Sequence, residues 1–264
     1  MHNFSYHRPA TVADAAKALA SAADAKLVAG GMTLVPTMKQ RLAAPSDLVD
    51  LGGVAELKGI KADGNAIVIG AMTTHAEVAK SAVVKGAIPA LAALADGIGD
   101  PQVRNRGTIG GSIANNDPAA DYPAGLVGLG ATVITNKRQI AADDFFTGMF
   151  TTALEAGEIV TAVSFPKPDK AAYMKFPSPA SRYAMVGVFV AKAGSSVRVA
   201  ITGAGPKVFR QAEMEKALAA NWSADAVANV KVAAGGLNSD LHGSADYRAH
   251  LVTVMAKRAV AAAG

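Results

Sequence analysis

Two short segments, each pairing two glycines with a nearby hydroxyl side chain, are the part of the chain best suited to bind a ligand. The first, AGGMT (29–33), follows an apolar run, and the second, TIGGS (108–112), lies in a stretch with little periodicity. Glycine permits positive φ and a close approach by a ligand, and successive N–H groups can then surround an anion. Thr33, Thr108 and Ser112 could donate further hydrogen bonds to phosphate oxygens.

Neither segment matches a common nucleotide-binding pattern. The chain has no GxGxxG after a strand and no GxxxxGK[ST], so the sequence supports neither a Rossmann dinucleotide site nor a P-loop. Glycine is also the commonest turn residue, so a single pair favours an ordinary turn. At this point both interpretations, anion-binding loops and plain turns, stay open.

Composition excludes several other kinds of site. The 264 residues are 51% hydrophobic and 18% charged, which predicts one or two folded domains. Cysteine is absent, which excludes disulfides, thiolate zinc sites, cysteine nucleophiles and an iron–sulfur cluster held by this chain alone. The five histidines are scattered with no HExxH, so we expect no metal site.

Charge and hydropathy indicate which partners and which cellular location to expect. The net charge is +5, but Lys and Arg are dispersed and are not interleaved with stacking aromatics, so we expect no nucleic acid partner. A mildly basic chain suits anionic ligands or acidic partner subunits. The N-terminus lacks an apolar signal-peptide core, and no apolar run reaches the length of an integral membrane segment. We therefore expect a cytoplasmic protein.

The pattern of elements predicts two α+β domains. Helices and strands are mixed through about residue 165, and strands followed by helices complete the chain. Residues 97–123, rich in Gly, Asn, Asp and Pro, have little periodicity, and loops of that length are usually functional. The segment 166–169 (PKPD) is the best boundary. The predicted strands are at 26–29, 47–51 and 66–72 and in the segments ATVITN, EIVTAVSF, YMKFP, MVGVFVAK and SVRVAITG. A helix begins at Thr11, residues 76–96 are helical with a break near Gly86 and Pro89, and further helices are predicted at 122–130, 211–220, 224–234 and 244–262.

Several segments together resemble one family. They are FSYHRPATVADA near the start, KLVAGGMTLVPTMK (26–39), IGDPQVRNRGTIGGSIANNDPAADYP (98–123), GEIVTAVSFP (157–166) and YMKF (173–176). In this order they resemble the FAD-binding medium subunit of the molybdenum hydroxylases, the group of carbon monoxide dehydrogenase and xanthine dehydrogenase. The likeness covers essentially the whole chain, and RNRGTIGGSIANNDPAAD is its most specific part.

The resemblance implies an α+β fold. Residues 1–168 would form an FAD-binding domain of the vanillyl-alcohol-oxidase type, in two subdomains. Residues 169–264 would form a small C-terminal domain with a three-stranded sheet and helices.

The resemblance also implies which residues bind non-covalent FAD, and it implies no catalytic side chain. Lys175 would lie near the flavin ring and stabilise negative charge on the reduced form, and Asp121 would hydrogen-bond FAD, cap the following helix, or do both. Met32 and Thr33 stand where many relatives have Gln and Ser, so one polar contact is lost and the hydroxyl is kept. The implied cofactor-binding residues are Leu27, Val28, Ala29, Gly30, Gly31, Met32, Thr33, Leu34, Ile98, Thr108, Ile109, Gly110, Gly111, Ser112, Asp121, Val160 and Lys175.

The implied partners are a large molybdenum–pterin subunit and a small subunit with 2Fe-2S clusters, assembled as a dimer of heterotrimers. The chain would accept electrons from those clusters and pass them to an external acceptor. The branch with an additional iron–sulfur cluster in the medium subunit is excluded by the lack of cysteine. Two alternatives stay open, a stand-alone flavin oxidase of the same fold and a non-flavin assembly scaffold.

Overall fold

A computed structural model describes residues 1–264, which form three main sheets and a two-stranded ribbon. The strands are β1 (Ser5–His7), β2 (Ala25–Val28), β3 (Asp47–Asp50), β4 (Ile60–Asp63), β5 (Ala66–Gly70), β6 (Thr132–Thr135), β7 (Gln139–Ala141), β8 (Phe146–Gly148), β9 (Thr151–Thr152), β10 (Val160–Pro166), β11 (Lys170–Pro177), β12 (Ala184–Ala193), β13 (Ser196–Thr202) and β14 (Phe209–Arg210). The helices are α1 (Val12–Ser21), α2 (Leu34–Lys39), α3 (His75–Lys80), α4 (Ala82–Ala87), α5 (Pro89–Asp96), α6 (Pro101–Arg106), α7 (Ile109–Asn115), α8 (Tyr122–Leu129), α9 (Ala142–Phe145), α10 (Ala212–Ala220), α11 (Ala224–Ala228) and α12 (Ala245–Ala263).

The first sheet is parallel, with strand order β1-β3-β2. Helix α1 connects β1 to β2, and the Thr11 side chain caps it by accepting from the Asp14 N–H. Val49 and Leu51 lie in the small core of this subdomain, and Leu27 packs against it. The first glycine loop leaves the carboxyl end of β2, the edge where parallel sheets commonly bind ligands.

The second sheet is antiparallel, with strand order β4-β5-β10-β6-β7. Strand β10 is central and pairs with β5 on one side and β6 on the other, so Val163 and Phe165 are fully buried. Residues of helices α3, α4, α5 and α8 share its core. The second glycine loop is joined to this subdomain through a bridge between Thr74 and Thr108.

The third sheet, β11-β12-β13-β14, is antiparallel and belongs to the C-terminal part. It contains the three long strands that we expected and a two-residue fourth, β14, at its edge. Strand β12 is apolar from Ala184 to Ala191 because both faces are covered there. Val188 and Val190 belong to the core that includes α10 to α12, whereas Phe189 belongs to the core shared with α8.

Helix α8 packs between the second sheet and strand β12 of the third sheet. All of its residues are buried, which is typical of a helix enclosed on every side. A Cβ at Gly128 would lie 2.6 Å from the Phe189 ring, so this glycine allows the helix to approach β12. Because Asp121 directly precedes α8, the position of that carboxylate is fixed by the packing between the two halves.

Two differences from the predicted elements concern helices. The stretch 97–123 contains two short helices, α6 and α7. Asp100 caps α6, which has Pro101 at its first position, and Thr108 caps α7, so standard start signals are present although the periodicity is weak. Helix α11 ends at Ala228, well before residue 234. Among the helices, none is both long and apolar enough to cross a membrane.

Candidate cofactor-binding site

A cleft of about 770 Å³ lies between the first sheet, the second subdomain and the hairpin that joins β11 to β12. That volume is within the range of small-molecule and cofactor sites. All of the predicted cofactor-binding residues except Ile109 and Lys175 line it. The side chain of Ile109 is fully buried in the core. Lys175 does not line the cleft but forms an ion pair with Asp121, which does.

The first glycine loop presents free backbone donors to the cleft. The N–H groups from Gly30 to Thr33 donate to no backbone or side-chain acceptor in the protein. Gly31 has φ +72°, a left-handed conformation that glycine adopts without strain, and the chain then enters α2 at Leu34. Four successive free donors form the kind of concavity that binds phosphate oxygens.

The second glycine loop differs from our expectation, because its backbone donors are already used. The N–H groups of residues 109–112 all donate within the protein, two to carbonyls of 71–73 and two to atoms of Thr108. This loop therefore does not form a nest of backbone donors. A ligand can contact the side chain of Ser112 and can approach the backbone of Gly110 and Gly111 closely, because these residues have no side chains.

Close packing between protein segments explains two of the four glycines. A Cβ at Gly30 would lie 2.1 Å from the carbonyl oxygen of Arg106, and one at Gly110 would lie 2.6 Å from the Cβ of Ala71. The two loops are thus held against each other and against the second sheet. Gly111 is less restricted, with Thr108 Oγ1 at 3.0 Å as its nearest neighbour.

Asp121 is a buried carboxylate in the cleft wall, 4% exposed. Tyr173 Oη donates to it at 2.5 Å and Lys175 Nζ lies 3.0 Å from it. Burial raises the pKa of Asp121, and the Lys175 ammonium and the Tyr173 hydroxyl oppose that rise. The carboxylate does not cap α8, although Asp121 is the residue before it.

Lys175 also donates to the carbonyl of Gly97 at 2.7 Å, next to the predicted apolar contact Ile98. Arg104 reinforces the same turn by donating to the carbonyls of Ile98 and Gly99. The C-terminal strand β11 and helix α6 therefore fix one wall of the cleft together. Whether Lys175 affects a flavin stays a prediction.

The sequence analysis missed several lining residues. His75 is 4% exposed, and burial, aided by the Arg104 charge, lowers its pKa to about 4, so it is neutral near pH 7. Phe150 (φ +52°) and Arg182 (φ +62°) are exposed residues in left-handed conformations at the cleft. Tyr183 also lines the cleft. No motif marks these positions, because tertiary packing alone brings them to the cleft.

The donor set fits FAD. The free N–H run suits the pyrophosphate, the hydroxyls of Thr33 and Ser112 add polar contacts, and Leu27, Ile98 and Val160 supply apolar surface for ring systems.

Comparisons with known proteins agree with this geometry. The family described as "FAD binding domain in molybdopterin dehydrogenase" matches residues 2–168, and "CO dehydrogenase flavoprotein C-terminal domain" matches residues 171–263. Fold and site thus define a flavoprotein subunit of the oxidoreductase class. The chain belongs to the FAD-binding medium-subunit family of the molybdopterin dehydrogenases.

Curated relatives match over nearly the whole chain. The nicotine 6-hydroxylase medium subunit of Paenarthrobacter nicotinovorans is 37% identical, covering 98% of this chain and 96% of the relative. The carbon monoxide dehydrogenase medium chain of Hydrogenophaga pseudoflava has the same identity and coverage. Among solved structures, carbon monoxide dehydrogenase from Hydrogenophaga pseudoflava lacking the Mo-pyranopterin moiety superposes with TM-score 0.87 at 37% identity, covering 99% of this chain and 97% of that one. The predicted family and fold class are confirmed.

Proposed function

We propose that the chain is the FAD-binding electron-transfer subunit of a molybdenum hydroxylase. It accepts electrons from iron–sulfur clusters of a small subunit and passes them to an external acceptor. The observation that carries the proposal is the run of free N–H groups from Gly30 to Thr33 in a cleft also lined by Ser112 and Asp121. When bound, FAD would supply the redox chemistry.

The residues of the chain bind and orient the cofactor in this scheme. The first loop holds the pyrophosphate through backbone donors, and Ser112 adds a hydroxyl from the second loop. Asp121 offers a carboxylate whose position is fixed by Tyr173 and Lys175. Leu27, Val28 and Val160 exclude water from one side of the cleft. We also propose that the domain boundary lies at residue 168 and that the cofactor-binding residues named in the sequence analysis bind FAD.

A large molybdenum–pterin subunit and a small 2Fe-2S subunit are the proposed partners, assembled as a dimer of heterotrimers. Support comes from the two relatives described above, which are named as a medium subunit and a medium chain. Those two are equally similar to this chain, yet one is named for nicotine and the other for carbon monoxide. The substrate therefore does not follow from this subunit, and the cytoplasmic location stays a prediction.

The proposal is tested by purifying the tagged chain from its native cell and measuring flavin, molybdenum and iron in the isolated material. We expect FAD on this chain, with molybdenum and iron on co-purifying chains, at a mass equal to two three-chain units. A chain that carries FAD but no metal-bearing partner, and that turns over a substrate with oxygen, would instead be a stand-alone oxidase. A folded chain without flavin, alone or in its complex, would favour the scaffold alternative.

A further inference from the structure

His75 stands out among the residues lining the cleft because its side chain is nearly enclosed and yet incompletely paired. The residue is 4% exposed, and Nδ1 is buried without a hydrogen-bond partner. An unpaired buried polar atom destabilises a protein, so native structures rarely keep one without a ligand, water or functional reason.

A second unpartnered polar atom belongs to the same cluster. The hydroxyl of Tyr122 is buried and has no hydrogen-bond partner, and its ring centroid lies 5.4 Å from that of His75. A phenol can donate to an imidazole nitrogen through one buried water. A neutral imidazole that accepts at Nδ1 carries its proton on Nε2 and can donate from that nitrogen.

The backbone around His75 places Nε2 beside the second glycine loop. A Cβ at Gly107 would lie 2.6 Å from Nε2, so this glycine leaves room for the imidazole. The His75 N–H donates to the Gly107 carbonyl at 3.0 Å, and Thr74 caps α3 with Glu77, which fixes the start of the helix. The imidazole therefore lies between the Tyr122 ring and Gly107.

Resting on the proposed function, we propose that His75 is a further FAD-binding residue that donates a hydrogen bond from Nε2 to the bound cofactor, and that Tyr122 is a positioning residue that holds Nδ1 as the acceptor. The low pKa of His75 agrees with this role, because a neutral ring keeps one donor and one acceptor. Because the ring is neutral at physiological pH, Nδ1 stays an acceptor there.

The test compares two amide variants of His75 that differ in where the amide lies. In His75→Gln the amide nitrogen can reach the position of Nε2, whereas in His75→Asn it reaches only the position of Nδ1. We expect FAD titrations, followed by flavin fluorescence, to give a Kd about tenfold higher for His75→Asn and for His75→Leu. His75→Gln should stay within about threefold of wild type, and Tyr122→Phe should fall between.

Val84→Ala is the matched control, because Val84 is fully buried in the same core but does not line the cleft. It should lower the melting temperature of the FAD-free protein and leave the Kd unchanged. If His75→Leu does not fold, the ratio of the Asn and Gln values decides. Equal Kd values for wild type, His75→Asn and His75→Gln would overturn the role of His75. Absence of FAD binding by wild type, alone and in its complex, would instead overturn the proposed function.

Discussion

Lys175 Nζ lies 3.0 Å from the carboxylate of Asp121, and this ion pair joins strand β11 of the C-terminal sheet to the residue that precedes α8. Both side chains are largely buried, 11% and 4% exposed respectively. Lys175 also holds the carbonyl of Gly97, so one ammonium fixes two parts of the cleft wall. The C-terminal domain therefore shapes the cofactor site without lining it at this point.

Replacement of Lys175 by Met should destabilise the protein by about 3 kcal/mol, because it leaves the buried Asp121 carboxylate without its charged partner. The free energy of unfolding can be measured by urea titration with Trp222 fluorescence, since the chain has one tryptophan. The double variant Lys175→Met/Asp121→Asn should be more stable than Lys175→Met. Additive losses would show that the two side chains do not interact.

The stability of the Lys175→Met variant should fall as the pH rises. Burial already raises the pKa of Asp121, and removal of the Lys175 charge raises it further. The native state then binds a proton more tightly than the unfolded chain, so stability falls as pH rises above about 4. Unfolding free energies of Lys175→Met measured across that range should decline with pH, and those of the double variant should not. A flat profile for Lys175→Met would contradict the assignment.

The two glycines of the second loop should respond differently to substitution. Gly110→Ala should lower the melting temperature of the FAD-free protein, because its Cβ would lie 2.6 Å from that of Ala71. Gly111→Ala should fold, since only the Thr108 hydroxyl is tightly placed, and should weaken FAD binding. Wild-type FAD affinity in Gly111→Ala would contradict the place of this loop in the site.

Glu158 provides a test of acid stability away from the cleft chemistry. Its carboxylate is buried, and hydrogen bonds from Arg138, the Glu155 N–H and Thr135 help to lower its pKa to about 2. The native pKa is below that of the unfolded chain, so its contribution is present above about pH 4.5 and is lost as the pH falls towards 2. Glu158→Gln should lower stability at pH 7 by about 2 kcal/mol and flatten the profile in that window, as followed by thermal unfolding. If the pH dependence of stability between pH 2 and 4.5 were the same in Glu158→Gln as in wild type, the role of the Glu158 carboxylate would be contradicted.

The sequence predicted the strands best where the pattern is regular. The run 184–191 is apolar throughout because it is enclosed on both faces, and 66–70 follows a clear turn signal. The helices α6 and α7 were missed because six or seven residues give too little periodicity, although Asp100, Pro101 and Thr108 carry standard start signals.

The candidate site was predictable only in part. The glycine loops were found from residue type, and the resemblance supplied Ile98, Asp121 and Val160. The contact of Lys175 with Asp121 and the enclosure of His75 depend on tertiary packing between segments distant in the chain. The difference between the loops, one with free N–H groups and one without, depends on hydrogen bonds that no local pattern specifies.

The most direct test of the central claim is an FAD titration of the purified chain, with binding followed by flavin fluorescence and by the melting temperature. The account predicts one FAD per chain, a melting temperature that rises with FAD concentration, and release of the yellow colour on denaturation. Gly31→Ala should weaken binding, because φ at this residue is +72° and orients the free N–H run. A folded protein that binds no FAD, by itself and within its complex, would contradict the account.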